Sequence, residues 1–254
     1  MTLSAGLAAK IRDRVPTVGT WLTLGHTSVA EMLVQAGYDW VVIDTEHTAI
    51  STEQLLPLIQ VTDLAGAPAL VRVGANDPLL IKRAMDAGAA GVVVPMVNSA
   101  EEARAAVAAV KYPPMGTRGV GLARAQGYGH DFEAYRDAVA RDSIVVVQIE
   151  HIDAVEAIDE ILAVPGVDAT IIGPYDLSGS LGFPGEFDRP EVADALARYE
   201  AACDAAGMAK GVHSVAPDAE KARTYLGRGY SFIALGVDFL FLSTLARSAR
   251  EGLR

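Results

Sequence analysis

Alternation is the feature that most restricts what this chain can fold into. Eight short apolar runs occur at residues 18–22, 40–44, 69–73, 91–96, 144–149, 169–172, 209–213 and 232–236. They are rich in β-branched residues, as in Ile144-Val145-Val146-Val147-Gln148-Ile149. Runs this short and apolar on both faces read as strands of a buried parallel sheet rather than as helices. Helical punctuation separates most of them. Residues 28–36 open on Ser28 with a glutamate three residues on and stop at Gly37. Residues 51–65 start from Ser51 as a cap, and 78–87 carry Pro78 early and stop at Gly88. Residues 99–110, 153–162, 190–206 and 217–226 follow the same logic, with Gly207, Gly227 and Gly229 as stops. Strand–helix alternation repeated eight times predicts an α/β chain with a (β/α)8 TIM-barrel fold, a single domain over residues 1–254. An open doubly wound sheet would usually show a glycine-rich loop after its first strand. The first strand here leads instead into Trp21-Leu22-Thr23-Leu24-Gly25-His26. The irregular stretch 111–141 reads as a long insertion at a barrel rim.

With 254 residues and 51% hydrophobic content the chain can bury one large core. A net charge of −11 argues against nucleic acid or an acidic membrane surface as partner, but not against an anionic substrate. A lone cysteine, Cys203, forbids an intramolecular disulfide and reads as structural. No apolar stretch reaches transmembrane length, and the first residues lack the layout of a signal peptide, so a cytoplasmic protein is expected.

Barrel enzymes place their chemistry at the C-terminal ends of the strands. Read in order, those ends give Trp21, Asp44-Thr45-Glu46-His47, Arg72, Pro95, Gln148 with Glu150, Asp176, His213 and Gly236. The opposite rim reads mostly as helix-stop glycines. Glu150 and Asp176 are acids at the same end of neighbouring strands, costly unless used, and they form a hard-oxygen site suited to Mg²⁺ or Mn²⁺. Arg72 lies between Val71 and Val73. Its fork suits a carboxylate or enolate oxygen, with a structural ion pair as the other reading. His47 follows Asp44 by three residues, and an aspartate that orients an imidazole raises its basicity; a solvated loop histidine is an equal reading. Gln148 shares a strand face with Glu150 and can reach the same ligand. His213 is either a site residue or a satisfied rim histidine, and Trp21 either a pocket wall or core. His26, His130 and His151 have no supporting constellation and are expected to be exposed. Glycines 173, 179, 182 and 185 suggest a tight loop around Asp176 whose N–H groups face an anion. Lys82, Lys111, Lys210 and Lys221 fall in helices or at strand starts, which disfavours a Schiff-base lysine.

These segments carry a family resemblance. Asp39-Trp40 through Asp44-Thr45-Glu46-His47, Val71-Arg72-Val73 with Asn76-Asp77-Pro78, and Lys82 through Gly88 match in order and spacing. So do Tyr112-Pro113-Pro114 to Arg118-Gly119-Val120, Val147-Gln148-Ile149-Glu150, and Gly173-Pro174-Tyr175-Asp176-Leu177-Ser178. Over nearly its whole length the chain resembles the metal-dependent (class II) pyruvate aldolases of the HpcH/HpaI family, typified by 4-hydroxy-2-oxoheptanedioate aldolase and 2-keto-3-deoxyglucarate aldolase. The resemblance implies a TIM barrel, usually a hexamer built as a trimer of dimers, with the last helix exchanged between neighbours. It implies reversible formation or cleavage of 4-hydroxy-2-oxo acids from pyruvate or hydroxypyruvate and an aldehyde, through a metal-stabilised enolate. Glu150 and Asp176 would hold Mg²⁺, Mn²⁺ or Co²⁺, with no nucleotide and no pyridoxal phosphate. Arg72 would contact the enolate oxygen, and Gln148 with Gly173, Pro174, Tyr175 and Asp176 would hold the pyruvate unit. His47 with Asp44 would be the acid/base pair, Trp21 and His213 would line the substrate pocket, and Asp86 and Arg124 would reach a neighbouring subunit's site. Tyr175 stands where family members carry a small residue, and 122–129 and 211–215 differ from members that handle dicarboxylates. A citrate-synthase-like condensation or a phosphoenolpyruvate-type lyase on the same scaffold is the alternative, and a non-catalytic 2-keto-acid-binding barrel is a third reading.

Overall fold

In the computed structural model, which describes residues 3–253, every predicted apolar run is a strand. The strands are β1 (Thr17–Leu22), β2 (Val41–Asp44), β3 (Ala69–Arg72), β4 (Gly91–Val94), β5 (Ile144–Ile149), β6 (Ala169–Ile172), β7 (Ala209–Ser214) and β8 (Phe232–Val237). They run parallel in sequence order and close into a barrel, with Thr17 and Val18 of β1 opposite Phe232 and Ile233 of β8. This is the (β/α)8 TIM-barrel fold that the alternation predicts.

The helices are α1 (Leu3–Arg12), α2 (Thr27–Gln35), α3 (Thr52–Ala65), α4 (Pro78–Ala87), α5 (Ala100–Val110) and α6 (Phe132–Asp142). They continue with α7 (Ile152–Glu156), α8 (Ile158–Leu162), α9 (Pro174–Ser180), α10 (Pro190–Ala206), α11 (Ala219–Gly227) and α12 (Asp238–Glu251). Among the described residues, no helix is long and apolar enough to cross a membrane.

Local chemistry explains most boundaries. Ser51 and Gln54 form a reciprocal capping box on α3, Asp77 accepts from the N–H groups of Leu79 and Leu80, and Gly66 and Gly88 end their helices in the left-handed region. One cap differs from the sequence reading. His26, not Ser28, caps α2, its Nδ1 accepting the Ser28 N–H at 3.1 Å. His151 does the same for Asp153 at 3.2 Å. Two histidines without a role in the sequence thus have structural ones. The stretch 111–141 is less irregular than expected. It holds a 3₁₀ turn at Arg124–Gly129 and then α6, whose charged outer face dilutes the apolar period.

Two apolar layers form the core. One lies between sheet and helices; the other fills the barrel and is closed below by Leu7, Ala8 and Ile11 of α1. In the inner layer Trp40 stacks on Phe232 at 4.1 Å and 8°, and its Nε1–H donates to Thr17 Oγ1 at 3.1 Å. Gly19 makes room for that ring, since a Cβ there would lie 2.0 Å from Trp40 Cδ2. Gly19→Ala is therefore expected to overpack the barrel floor and destabilise the protein by about 1–3 kcal/mol, read from denaturant unfolding.

The rim opposite the strand C-termini is not the row of glycines that the sequence suggested. Lys111 Nζ donates there to the carbonyls of Val139 and Ala140 at 2.9 and 3.1 Å. Asp168 accepts from Arg12 Nε and from the Val145 N–H, both at 2.9 Å, and Lys210 pairs with Asp204. These buried charges are satisfied structural pairs.

Candidate active site

The predicted residues gather where β2, β3, β5, β6 and β7 end. Sheet register puts Asp44 opposite Arg72. Arg72 Nε donates to Asp44 Oδ1 at 2.9 Å and Nη2 to Oδ2 at 2.7 Å, a two-pronged pair. Arg72 Nη1 lies 3.1 Å from Glu46 Oε2. Its guanidinium also rests 4.3 Å above the Trp21 ring, which packs 5.0 Å from the His213 ring. Burial alone would raise the Asp44 carboxyl pKa. The Arg72 fork and the N–H groups of Glu46 and His47 outweigh it, and the net direction is down.

Asp44 makes no direct contact with the His47 imidazole in this chain. Asp44 Oδ1 accepts the backbone N–H of His47 at 3.4 Å, but both Asp44 oxygens serve Arg72. The acid beside the imidazole is Glu46, whose Oε2 lies 3.6 Å from His47 Nε2, on a largely exposed side chain. Charge attraction favours the guanidinium, which is always cationic, over an imidazole that is not.

Glu150 is buried. Its Oε1 accepts the Met96 N–H at 2.7 Å and its Oε2 accepts from Gln148 Nε2 at 2.8 Å, while Gln148 Oε1 is buried without a partner. Burial raises the Glu150 pKa, the Met96 N–H opposes this, and the charges of Glu46 and Asp176 add to the rise. Glu46 is raised by burial too, with Asp44 and Asp176 adding repulsion against the pull of Arg72 and His47. Asp176 is exposed in the first turn of α9, after Gly173 and Pro174. Tyr175 points outward and meets the Phe187 ring edge-on at 4.9 Å, with Gly185 beside it.

This donor set fits a divalent cation. A Cβ at Gly173 would lie 3.2 Å from Glu150 Oε2 and 3.7 Å from Asp176 Oδ2, so the two carboxylates flank a space that a side chain would fill. Among the described residues no group of three or more His, Cys, Asp or Glu side chains could hold a metal. Two carboxylates plus water or substrate oxygens is the pattern of Mg²⁺-type ions, not of a closed protein cage.

Two predicted residues are engaged elsewhere in this chain. Asp86 binds Arg118 and accepts from Gln126 Nε2 at 3.1 Å, and Arg124 pairs with Asp63 at 2.7 Å. None of the lysines singled out in the sequence joins the constellation: Lys111 and Lys210 serve the far rim, and Lys82 and Lys221 sit on helices. The sequence reading left two contributors unassigned. Glu46 stood in the Asp44–His47 run, yet only the fold shows it bridging towards Arg72. Met96 gives no sequence signal at all: it takes a left-handed φ of 51°, unusual for a residue with a side chain, and thereby aims its N–H at Glu150.

Comparison with known proteins adds to this geometry. Residues 17–244 match the HpcH/HpaI aldolase/citrate lyase family. The chain belongs to this family. Among curated relatives, a 2-dehydro-3,6-dideoxy-6-sulfogluconate aldolase of Pseudomonas putida is 42% identical over 239 residues, covering 93% of this chain and 92% of that protein. A hydroxypyruvate/pyruvate aldolase of Paraburkholderia phytofirmans is 35% identical, covering 100% of this chain and 99% of the other. Among solved structures, an HpcH/HpaI aldolase/citrate lyase family protein from Burkholderia cenocepacia superposes with a TM-score of 0.92 at 36% identity, covering 98% of this chain and 99% of that one. In this HpcH/HpaI member the barrel mouth therefore holds Arg72, Glu150 and Asp176 on a scaffold shared with those relatives.

Proposed function

We propose that this family member is a divalent-metal-dependent 2-keto acid aldolase, a carbon–carbon lyase joining pyruvate or hydroxypyruvate reversibly to an aldehyde. What supports it most is the placement of a hard-oxygen carboxylate pair, Glu150 and Asp176, beside an arginine whose remaining N–H groups can meet a keto oxygen. Relatives 35–42% identical are named as aldolases, so the citrate-synthase-like alternative has no better support.

In this reading Glu150 and Asp176 hold the metal, which when bound supplies Lewis acidity to the keto acid. Two of the five Arg72 N–H groups donate to Asp44, and a third lies on the side of Glu46 in an ion pair of 3.1 Å. The other two are free to stabilise the enolate oxygen as the pyruvate methyl group loses a proton. The enolate carbon then bonds to the aldehyde carbon, and the aldehyde oxygen takes up a proton. His47 Nε2 takes the proton that the methyl group loses and returns it to the aldehyde oxygen, with Glu46 as its nearest acid. Gln148 braces Glu150 through Nε2, which leaves its buried Oε1 without a partner. Cleavage is the reverse.

The test is to incubate the protein with pyruvate or hydroxypyruvate, Mg²⁺, Mn²⁺ or Co²⁺, and a panel of aldehydes. A 4-hydroxy-2-oxo acid should form and be lost on chelation; no product with any pair would count against the reading.

The same reading takes residues 1–254 as one barrel domain of a cytoplasmic homo-hexamer arranged as a trimer of dimers, in which Asp86 and Arg124 approach a neighbour's site. Its support is α12. Beyond Asp238 nothing on this helix is buried, and Phe239, Leu242 and Leu245 are exposed, as suits a helix that packs on another copy. Light scattering after size exclusion should give six copies, and Leu242→Asp with Leu245→Asp should yield smaller species; a monomeric parent would reject the assembly.

A further inference from the structure

Asp238 is a buried carboxylate with no part in the chemistry proposed for the mouth, and it stands where β8 passes into α12. It accepts four hydrogen bonds among the described residues. One, from the Phe239 N–H at 2.9 Å, belongs to its own helix. The other three come from the loop after β1. The N–H groups of Thr23 and Leu24 each lie 2.8 Å from Oδ2, and the Thr23 hydroxyl lies 2.5 Å from Oδ1. A helix cap alone needs no such reach, since a serine or threonine would supply it. An ionised acceptor also makes each bond stronger than a neutral one would. The backbone is shaped for this contact. Gly19 of β1 pairs with Ala234, but Trp21 pairs with Val237, so β8 carries an extra residue across this step. Gly236 makes the bulge at a left-handed φ of 69°, where a Cβ would lie 2.3 Å from Phe241 Cζ. With that residue in place, Val237 comes opposite Trp21 and Asp238 comes within reach of Thr23.

The side chain held by this clamp is Trp21, two residues before Thr23. The Arg72 guanidinium rests 4.3 Å from the centre of its ring. The His213 ring packs 5.0 Å away, and its Nε2–H donates to the Gly236 carbonyl of the bulge at 3.1 Å. The polar group of Trp21 itself holds nothing: Nε1 is buried without a hydrogen-bond partner among the described residues. Trp40 differs, since its Nε1–H is tied to Thr17. Trp21 therefore takes its place from packing and from the backbone that Asp238 grips. Its ring covers one face of a guanidinium whose edge serves Asp44 and Glu46, which limits where the two remaining N–H groups point. Glu150 follows β5, which lies across the closed barrel from β1, so it does not share this support.

We propose that Asp238 is a positioning residue for the reaction: by clamping the loop after β1 it seats Trp21 against Arg72, and so aims the arginine at the enolate oxygen. The proposal rests on the aldolase reading for the reaction and on the contacts alone for the geometry. Asparagine has one acceptor oxygen, so Asp238→Asn keeps at most half of the four bonds. With saturating pyruvate and Mn²⁺, exchange of the pyruvate methyl protons should slow about 10–10²-fold in that variant. Its Kd for Mn²⁺, read by electron paramagnetic resonance, should stay within about twofold of the parent's, because the two places are independent. In an Arg72→Ala background Asp238→Asn should slow exchange no further, since residues acting through one contact are not additive. Thr23→Val removes only the hydroxyl and should give a milder loss of the same kind, most of it recovered by Thr23→Ser; this pair carries the test if Asp238→Asn does not fold. Acrylamide quenching of tryptophan fluorescence should rise in Asp238→Asn, and the rise should vanish when Trp21→Phe is added. Exchange at the parent's rate in folded Asp238→Asn would overturn the proposal, as would an equal further loss in the Arg72→Ala background or a parallel loss of Mn²⁺ affinity. Unchanged quenching in Asp238→Asn, with exchange intact in the parent, rejects the clamp alone, whereas absence of exchange in the parent rejects the aldolase reading and the catalytic role of Asp238 with it.

Discussion

Arg72→Ala is expected to lower turnover by about 10²–10³-fold or more, the range seen when one preorganised donor to a developing oxyanion is removed. Arg72 also anchors Asp44 and Glu46, so the loss includes misplaced carboxylates. The variant should still fold, because both apolar layers are untouched. Its stability should drop, since Asp44 is buried and keeps only the N–H groups of Glu46 and His47. Breaking a buried pair from one side costs about 3–5 kcal/mol, and those two donors place this case at the lower end. Arg72→Lys should recover part of the stability but little of the rate, because an ammonium cannot make the two-pronged contact. The pH dependence has a definite sign. The Asp44 carboxyl is held below its ordinary value, so its stabilising contribution is present above the unfolded-state pKa and fades as pH falls through the lower folded-state one. Thermal unfolding from pH 7 downward should show that acid sensitivity in the parent and less of it in Arg72→Ala. Robust turnover in a folded Arg72→Ala protein would remove Arg72 from its assigned role.

Glu150→Gln should separate stability from function. Burial and the neighbouring charges of Glu46 and Asp176 raise the Glu150 pKa, so its ionised form weakens the metal-free fold. A raised pKa contributes stability that is present below the unfolded-state value and is lost as pH rises through the folded-state one. At neutral pH the metal-free Glu150→Gln protein should therefore melt higher than the metal-free parent, by about 2–4 °C for each kcal/mol relieved in a chain of roughly this size. Added Mn²⁺ should raise the melting temperature of the parent by mass action and leave the variant unmoved. Activity should vanish in the variant, and in the parent after exhaustive chelation. A variant that melts lower than the metal-free parent and still shifts with Mn²⁺ would assign Glu150 to structure instead.

The barrel was legible because its signal is repeated. Buried, mostly apolar strands of four to six residues, punctuated by Ser51, Asp77, Pro78 and Gly88, agree at the levels of periodicity and capping. The strand-end rule also led to Arg72, Glu150 and Asp176. It could not show the contacts among them. Whether Asp44 serves Arg72 or His47 depends on sheet register, which no local spacing reports. Glu46 was visible but had no assignable direction. The N–H that braces Glu150 comes from Met96 in a left-handed turn, which composition does not announce. The rule over-reached at the other rim, where Lys111, Asp168 and Lys210 show that buried charges at strand starts can be spent on structure. Helices α1 and α6 escaped notice because their polar faces dilute the apolar period, and α12 because Phe239, Leu242 and Leu245 are exposed and only Leu240 and Phe241 pack on the core.

The central claim is that this barrel mouth makes an enolate from a 2-keto acid before any aldehyde binds. Exchange of the pyruvate methyl protons in D₂O, followed by NMR with Mg²⁺, Mn²⁺ or Co²⁺ and again with chelator, tests it without knowledge of the acceptor. The account predicts exchange that requires the metal and is lost in Arg72→Ala. A folded protein that exchanges neither pyruvate nor hydroxypyruvate protons with any of these ions would contradict it.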